Sequence, residues 1–331
     1  MTHPKLFGFE NFFAGKKILV TGSSGLIGSS VLKDLSQINC HILGQYHTNQ
    51  PAVVQACANL SLIESKIDDP KLWETYLPDV DIIIHLAAQT SAHKSQEDFI
   101  RDNQINVIPV LHALNAAKNL KSPPTIIFAG SATQIGLTTE ASNFLNQPDK
   151  PLTAYDINKL SVENYIRIYA NQFGGTACTL RLANVFGPGG NNKHTDRGIV
   201  NQMVKNALNG LPLTIYGDGL YIRDYIFIDD VSKAFLYAAK FAKELNGEAY
   251  TIGTGQATTI KTIAQIIADQ VKDITGQEIQ IKCTPWPNTA LAIEKRNFIA
   301  DSSEFKKITG WNPRISINTG IRELIHFHLS R

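Results

Sequence analysis

Lys17-Ile18-Leu19-Val20-Thr21-Gly22-Ser23-Ser24-Gly25-Leu26-Ile27-Gly28 is the stretch on which the fold turns. A short apolar, β-branched run passes directly into glycines spaced G-x-x-G-x-x-G, and a helical pattern follows from Leu26 to Leu35. A continuous apolar strand of this kind is one buried on both faces. Gly22 permits the tight turn, Gly25 lets the backbone approach a pyrophosphate, and Gly28 lets the helix pack on the strand. The free N–H groups and partial positive charge at the helix start suit phosphate oxygens. In strand–turn–helix context the pattern predicts a dinucleotide site that takes in Gly22, Gly25, Leu26, Ile27 and Gly28.

Working outward, further β-rich runs occur at His41-Ile42-Leu43, at Asp81 to Leu86 and at Thr125-Ile126-Ile127-Phe128, and a long helical pattern covers about Asn103 to Lys118. Strands alternating with helices predict an α/β fold of Rossmann type, a doubly wound parallel sheet. After Phe186 the character changes. Gly187-Pro188-Gly189-Gly190-Asn191-Asn192 is turn-rich, and helical patterns follow at about Gly198 to Asn209 and Val231 to Leu245. The expected organisation is a dinucleotide-binding domain over 1–186 plus about 225–252. A smaller, discontinuous C-terminal α/β lobe over 187–224 and 253–331 would bind the substrate, with a cleft between the two.

Lys and Arg number 31 against 29 Asp and Glu, a net charge of +2 with no basic block. That argues against a nucleic-acid partner and against a polybasic membrane anchor. No apolar run reaches the ~18 residues of a membrane span. Met1 to Gly15 lacks the pattern of a secretory signal, so a cytoplasmic location is expected. Cys40, Cys57, Cys178 and Cys283 are far apart. They read as free thiols, with no metal site among them.

An acidic residue is expected about 20 positions after the glycines, where it would hold the adenosine ribose. None occurs from Leu35 to Ile63, nor any Lys or Arg, and the second strand runs into Gly44-Gln45-Tyr46-His47-Thr48-Asn49. NAD and NADP both stay open as cofactor, with a slight tilt towards NADP.

Tyr155-Asp156-Ile157-Asn158-Lys159 puts a phenol and an ammonium on one helix face. Y-x-x-x-K arises easily by chance; its place after the fifth strand of a dinucleotide fold makes it informative. A nearby cation lowers a tyrosine pKa, which acid–base work near neutrality requires. Ser131, in Phe128-Ala129-Gly130-Ser131-Ala132-Thr133, sits where a hydroxyl would align the substrate oxygen.

These residues, with His85-Leu86-Ala87-Ala88, Asn106-Val107, Arg181 through Gly189, Gly217-Asp218-Gly219, Arg223-Asp224-Tyr225-Ile226, Asp229-Asp230-Val231 and Gly310-Trp311-Asn312-Pro313, resemble the extended short-chain dehydrogenase/reductase family. The resemblance is to its nucleotide-sugar epimerase/dehydratase branch, and it runs from about Lys16 to Phe327. It implies cofactor contacts at Leu86, Ala87, Ala88, Asn106, Tyr155 and Lys159. A further contact falls at Ile67, where Lys66 stands in place of the family's usual Asp. It implies substrate contacts at Thr90, Ser131, Asn184, Arg223 and Arg296, the arginines gripping the diphosphate of a nucleotide sugar. It also implies a homodimer through the helix after Asn103 and the Tyr155 helix.

The 4,6-dehydratases of the family carry Asp-Glu where this chain has Ala132 and Thr133. Dehydration needs such an acid and base, so that reaction is not expected. The expectation is an epimerase that moves hydride at a sugar carbon, C4 in most of the family, with Ser131, Tyr155 and Lys159 as the catalytic set. The alternative is an NADPH-dependent ketoreductase of 4-keto-6-deoxy sugars. A rival of another class, a non-catalytic cofactor sensor, commonly loses the tyrosine or lysine, and both are present here.

Overall fold

The computed structural model describes residues 8–51, 59–137, 148–190 and 198–330. A short helix α1 (Glu10–Phe13) leads into β1 (Lys17–Thr21), α2 (Leu26–Leu35) and β2 (His41–Tyr46). Next come β3 (Leu60–Glu64), α3 (Pro70–Tyr76), β4 (Ile82–His85), α4 (Ala92–Glu97), α5 (Phe99–Asn106) and α6 (Ile108–Ala117). β5 (Thr125–Ser131) precedes the long α7 (Ala154–Gln172), β6 (Thr176–Leu182) and β7 (Asn184–Phe186). There follow α8 (Ile199–Leu208), β8 (Leu213–Tyr216), β9 (Ile222–Arg223), β10 (Tyr225–Phe227), α9 (Ile228–Lys240) and β11 (Ala249–Ile252). The last elements are β12 (Thr258–Thr259), α10 (Ile260–Thr275), β13 (Ile281–Thr284), α11 (Ser303–Thr309) and α12 (Ile317–Leu329).

Seven strands form one sheet in the order β11-β6-β5-β4-β1-β2-β3, every neighbouring pair parallel. The winding direction reverses between β1 and β4. Crossovers from these strands leave on opposite faces, which opens a crevice at their C-terminal ends.

Side chains alternate along each strand between two cores. Ile18, Val20, Ile82, Ile84, Ile127 and Leu180 face one side, under Val31 and Leu35 of α2 and Val231 and Phe235 of α9. Leu19, Ile83, Ile126 and Phe128 face the other, under Trp73 of α3, Val110 of α6 and Val162, Ile166 and Tyr169 of α7. Each such aliphatic side chain contributes about 1.5–3 kcal/mol when fully buried. That is why the doubly covered plan was visible in runs with no polar face. A third core joins Phe186, Phe227, Met203 and Val204 of α8, Ile263 and Ile267 of α10, and Ile321 and Leu324 of α12. Phe298, Phe305 and Trp311 pack instead into the first core.

Three elements differ from the sequence reading. The helix expected over about Asn103 to Lys118 is two helices, broken at Val107. Pro109 has no N–H for the Ile105 carbonyl and disfavours helical backbone at Ile108. The helix expected over Val231 to Leu245 spans Ile228–Lys240, with Asp229 and Asp230 in its first turn, where acids suit the dipole. β3 was not foreseen; it is an edge strand with a mixed exposure pattern. Cys178 is a buried free thiol and Cys283 a free, exposed one; Cys40 is buried, its Sγ donating to Leu35 O (3.6 Å). Cys57, Asn191 and Asn192 lie outside the described residues. No described helix is long and apolar enough to cross a membrane.

Candidate active site

The crevice holds a cavity of about 540 Å³ lined by the glycine turn and the loop after β4. Gly22 has φ +63°, and a Cβ there would lie 2.8 Å from the Ala87 backbone. A Cβ on Gly28 would come within 2.3 Å of the Gly22 carbonyl oxygen. Both glycines are therefore required by close backbone approach. Gly25 meets only the Gly22 carbonyl at 3.2 Å, so its outer side is open for a ligand. No side chain caps α2, and its first residues Leu26, Ile27 and Gly28 line the cavity. The buried Thr21 hydroxyl accepts from Leu86 N–H (3.1 Å) and Ala87 N–H (3.2 Å), locking the ends of β1 and β4 together. A group with two phosphates fits this cradle, where Gly25 and the uncapped start of α2 are open to it.

Gln45 takes the Gly22 N–H on its Oε1 (3.0 Å) and donates to Ser65 O (2.6 Å). The Tyr46 hydroxyl donates to Glu64 at 3.0 Å. Tyr46, His47, Thr48, Lys66, Ile67 and Asp68 line this end of the cavity, with Asp68 held by Arg101 at 3.3 Å. Leu86, Ala87, Ala88 and Thr90 line the same cavity. Asn106 lies beneath, buried, donating to Gln89 O and Asp102 (both 3.1 Å).

A second cavity, about 380 Å³, shares Thr90 and Val185 with the first. Ser131, Thr133, Tyr155, Asp156, Asn184 and Arg296 are on its wall. Ser131 ends β5, and its N–H donates to Gln134 Oε1 (2.7 Å), whose Nε2 donates to Glu163 (3.0 Å). Tyr155 stands in the first turn of α7, which Thr153 and Asp156 cap reciprocally. Ser131 and Tyr155 stand on the wall of the same cavity. Burial pushes the phenol above its ordinary value, and the nearby Ser131 hydroxyl opposes that. The lowering expected from Lys159 is not found; burial leads, and the Asp156 and Asp102 carboxylates raise the phenol further.

Lys159 is 2% exposed, donates to Ala129 O at 2.9 Å and lies 4.6 Å from the Phe128 ring centre. Burial brings its ammonium down to about 7, and the Asp102 carboxylate opposes this. The buried His85 imidazole is held down to about 3 by desolvation and by the Lys159 charge, so it is neutral.

The two arginines part company. Arg296 lines the second cavity, its Nη2 3.5 Å from Asn184 Oδ1, and its buried Nε has no partner among the described residues. Burial, then the charge of Arg223, lowers it to about 9. Arg223 lines neither described cavity. Its guanidinium donates to Ile222 O (2.9 Å), Glu294 O (2.6 Å) and Arg296 O, stitching the 291–296 segment to β9. The sequence reading missed Asp156 and passed over Thr133. A T-x-x-D capping pattern at Thr153 to Asp156 was the one available signal.

The family model described as "NAD dependent epimerase/dehydratase family" matches residues 18–253. A putative UDP-glucose 4-epimerase of Methanocaldococcus jannaschii is 29% identical, over 94% of this chain and 97% of its own. The structure of a Thermotoga maritima UDP-glucose 4-epimerase with UDP-glucose is similar at TM-score 0.81 and 28% identity, covering 95% of this chain and 99% of that one. A Bacillus cereus UDP-glucuronic acid 4-epimerase, in complex with UDP-glucuronic acid and NAD, gives TM-score 0.82 and 25% identity over 95% and 100% of the two chains.

Proposed function

The chain belongs to the NAD-dependent epimerase/dehydratase family, and on that premise we propose that it is a UDP-sugar 4-epimerase with Ser131, Tyr155 and Lys159 as its catalytic set. The observation that carries this reading is the junction of the two cavities: Thr90 borders both, with the glycine cradle in one and the Ser131–Tyr155 pair in the other. A nicotinamide dinucleotide, when bound, supplies the hydride acceptor and donor. Gly22, Gly25, Gly28 and the first turn of α2 would hold its phosphates, and Leu86, Ala87 and Ala88 its nicotinamide half.

Tyr155 takes the proton of the sugar C4 hydroxyl and returns it to the keto oxygen after the sugar has turned over in the cavity. Ser131 aligns that oxygen. Lys159 places positive charge beside the phenol, at 5.8 Å from its ring centre. Asn184 and Arg296 would bind the diphosphate, while Arg223 supports Arg296 through its carbonyl. Residues 1–186 with about 225–252 serve the cofactor, and 187–224 with 253–331 the sugar. NAD is the cofactor named for the family and bound in the Bacillus cereus neighbour; the comparisons give no support to the tilt towards NADP. The homodimer stays part of the proposal, since Phe99, Ile100 and Ile157 on α5 and α7 are all more than half exposed.

Incubating the protein with NAD and UDP-glucose, UDP-glucuronic acid or UDP-N-acetylglucosamine, and following the anomeric proton by NMR, tests the reading. The 4-epimer of at least one is expected, and its loss in Tyr155→Phe. Consumption of NADPH by a keto sugar without epimerisation of any UDP-sugar would favour the ketoreductase instead.

A further inference from the structure

Asp102 of α5 is 1% exposed, and three amides converge on its carboxylate. Gln89 Nε2 (2.8 Å) and Asn106 Nδ2 (3.1 Å) donate to its Oδ1, and Asn158 Nδ2 donates to its Oδ2 (2.7 Å). The first two donors are fixed in their orientation by backbone groups. Gln89 also takes the Ser91 N–H on its Oε1 (2.6 Å) and donates to Ser91 O (2.8 Å), and the Asn106 amide also donates to Gln89 O (3.1 Å). Asn158 in turn accepts from Asn103 Nδ2 at 3.2 Å. Both oxygens of Asp102 thus accept, as those of an ionised carboxylate do. Gln89 immediately precedes Thr90, which borders both cavities, and Asn158 immediately precedes Lys159 on the Tyr155 helix. One carboxylate therefore ties the loop after β4 to α7. It is also a charge out of water with no ion pair within 4.0 Å among the described residues, and the buried Lys159 has none either. Burying a lone charge is costly, and a nearby charge of opposite sign offsets that cost.

We propose that Asp102 is a positioning residue of this site: it anchors the Thr90 loop to the Tyr155 helix and is the buried counter-charge of Lys159. The inference rests on the reading of Tyr155 and Lys159 as members of the catalytic set. In keeping with it, Asp102 opposes the burial that brings the Lys159 ammonium down to about 7. It raises the Tyr155 phenol as well. The other titratable groups around Lys159 and its helix are Tyr155, Asp156 and Glu163 on α7 and His85 at the end of β4. Glu163 is paired with Arg181 of β6. All of these are kept in the variants below.

Charge and anchor can be separated. In Asp102→Asn the amide oxygen takes the Gln89 and Asn106 donors, and the NH2 faces Asn158. The Asn158 amide turns over together with that of the half-buried Asn103, so each donor again meets an acceptor. The bonds are kept and only the charge is lost. Asp102→Ser loses the same charge and is too short to reach all three amides.

The test is carbon-13 NMR of the full chain labelled at lysine Cε, with no substrate or cofactor added. The Lys159 resonance is assigned by its absence in Lys159→Met and titrated with pH. Its midpoint is expected to fall by about one pH unit, tenfold in the ionisation constant, in both Asp102 variants. Calorimetry is expected to find NAD bound about fivefold more weakly by Asp102→Ser than by Asp102→Asn, the factor for one lost hydrogen bond. A Lys159 midpoint that stays or rises overturns the counter-charge, and equal NAD affinities of the two variants overturn the anchor. Should neither variant fold, the wild-type chain decides: the Asp102 Cγ resonance near neutrality is expected to be that of an ionised carboxylate, and a protonated one overturns the proposal. Absence of epimerase activity would sink the proposed function and leave the Lys159 titration intact, so the two failures are distinguishable.

Discussion

Replacing Lys159 by Met removes a charge that the fold makes costly, and the cost has a definite pH signature. The ammonium is lowered from 10.5 to about 7, with burial as the leading cause. The folded chain binds this proton only below about 7, the unfolded chain up to about 10.5. Between those limits the unfolded state carries the extra proton, so stability rises with pH. At ~1.4 kcal/mol for each tenfold step, the whole span amounts to about 5 kcal/mol. Some 3 to 4 kcal/mol of it, as an order of magnitude, is regained between about pH 7 and pH 10. Lys159→Met also loses the bond to Ala129 O, a difference that does not vary with pH. Urea unfolding of both proteins at several pH values between 7 and 10, without cofactor, isolates the effect, because groups that Lys159 does not touch cancel and His85, which its charge lowers, is neutral there. Wild-type stability relative to Lys159→Met is expected to climb with pH by that amount. A flat or falling difference would refute the claim that Lys159 is buried against its charge.

Gly28→Ala drives a Cβ into the Gly22 carbonyl. It is expected to cost about 1–3 kcal/mol in unfolding experiments and to abolish NAD binding measured by calorimetry. Arg296→Ala is expected to weaken binding of UDP tenfold or more with little change in melting temperature. Arg223→Ala takes their donor from the Glu294 and Arg296 carbonyls, while Ile222 O keeps the Phe298 N–H (3.0 Å). It should chiefly destabilise the chain, by about 2 kcal/mol or more, which a thermal melt reads.

The glycine turn was legible because its constraints are local: strand, bend and helix start lie within twelve residues, and each glycine answers to its own chain neighbourhood or to the adjoining strand. Tyr155 and Ser131 were legible for a related reason, since a strand end and the next helix start are brought together by the parallel winding itself. The partition of the arginines was not. A motif names Arg223 as a phosphate contact, while its guanidinium ends on the carbonyl of its neighbour Ile222 and on two carbonyls of a segment some seventy residues away. Asp156 was hidden differently. Its sequence neighbours show only a helix cap, and the Thr133 contact exists because the turn after β5 packs against the first turn of α7. The break at Val107 was readable from Pro109; the apolar periodicity on both sides simply masked it.

The most direct test of the central claim is the fate of the C4 hydrogen. UDP-glucose carrying deuterium at C4 is incubated with the protein and NAD in ordinary water, and both the epimer formed and the recovered substrate are examined by mass spectrometry and NMR. If hydride leaves the sugar and returns to it within one closed site, the deuterium is retained at C4 of the product. Loss of the label to solvent, or epimerisation that persists undiminished in Tyr155→Phe, would contradict the account.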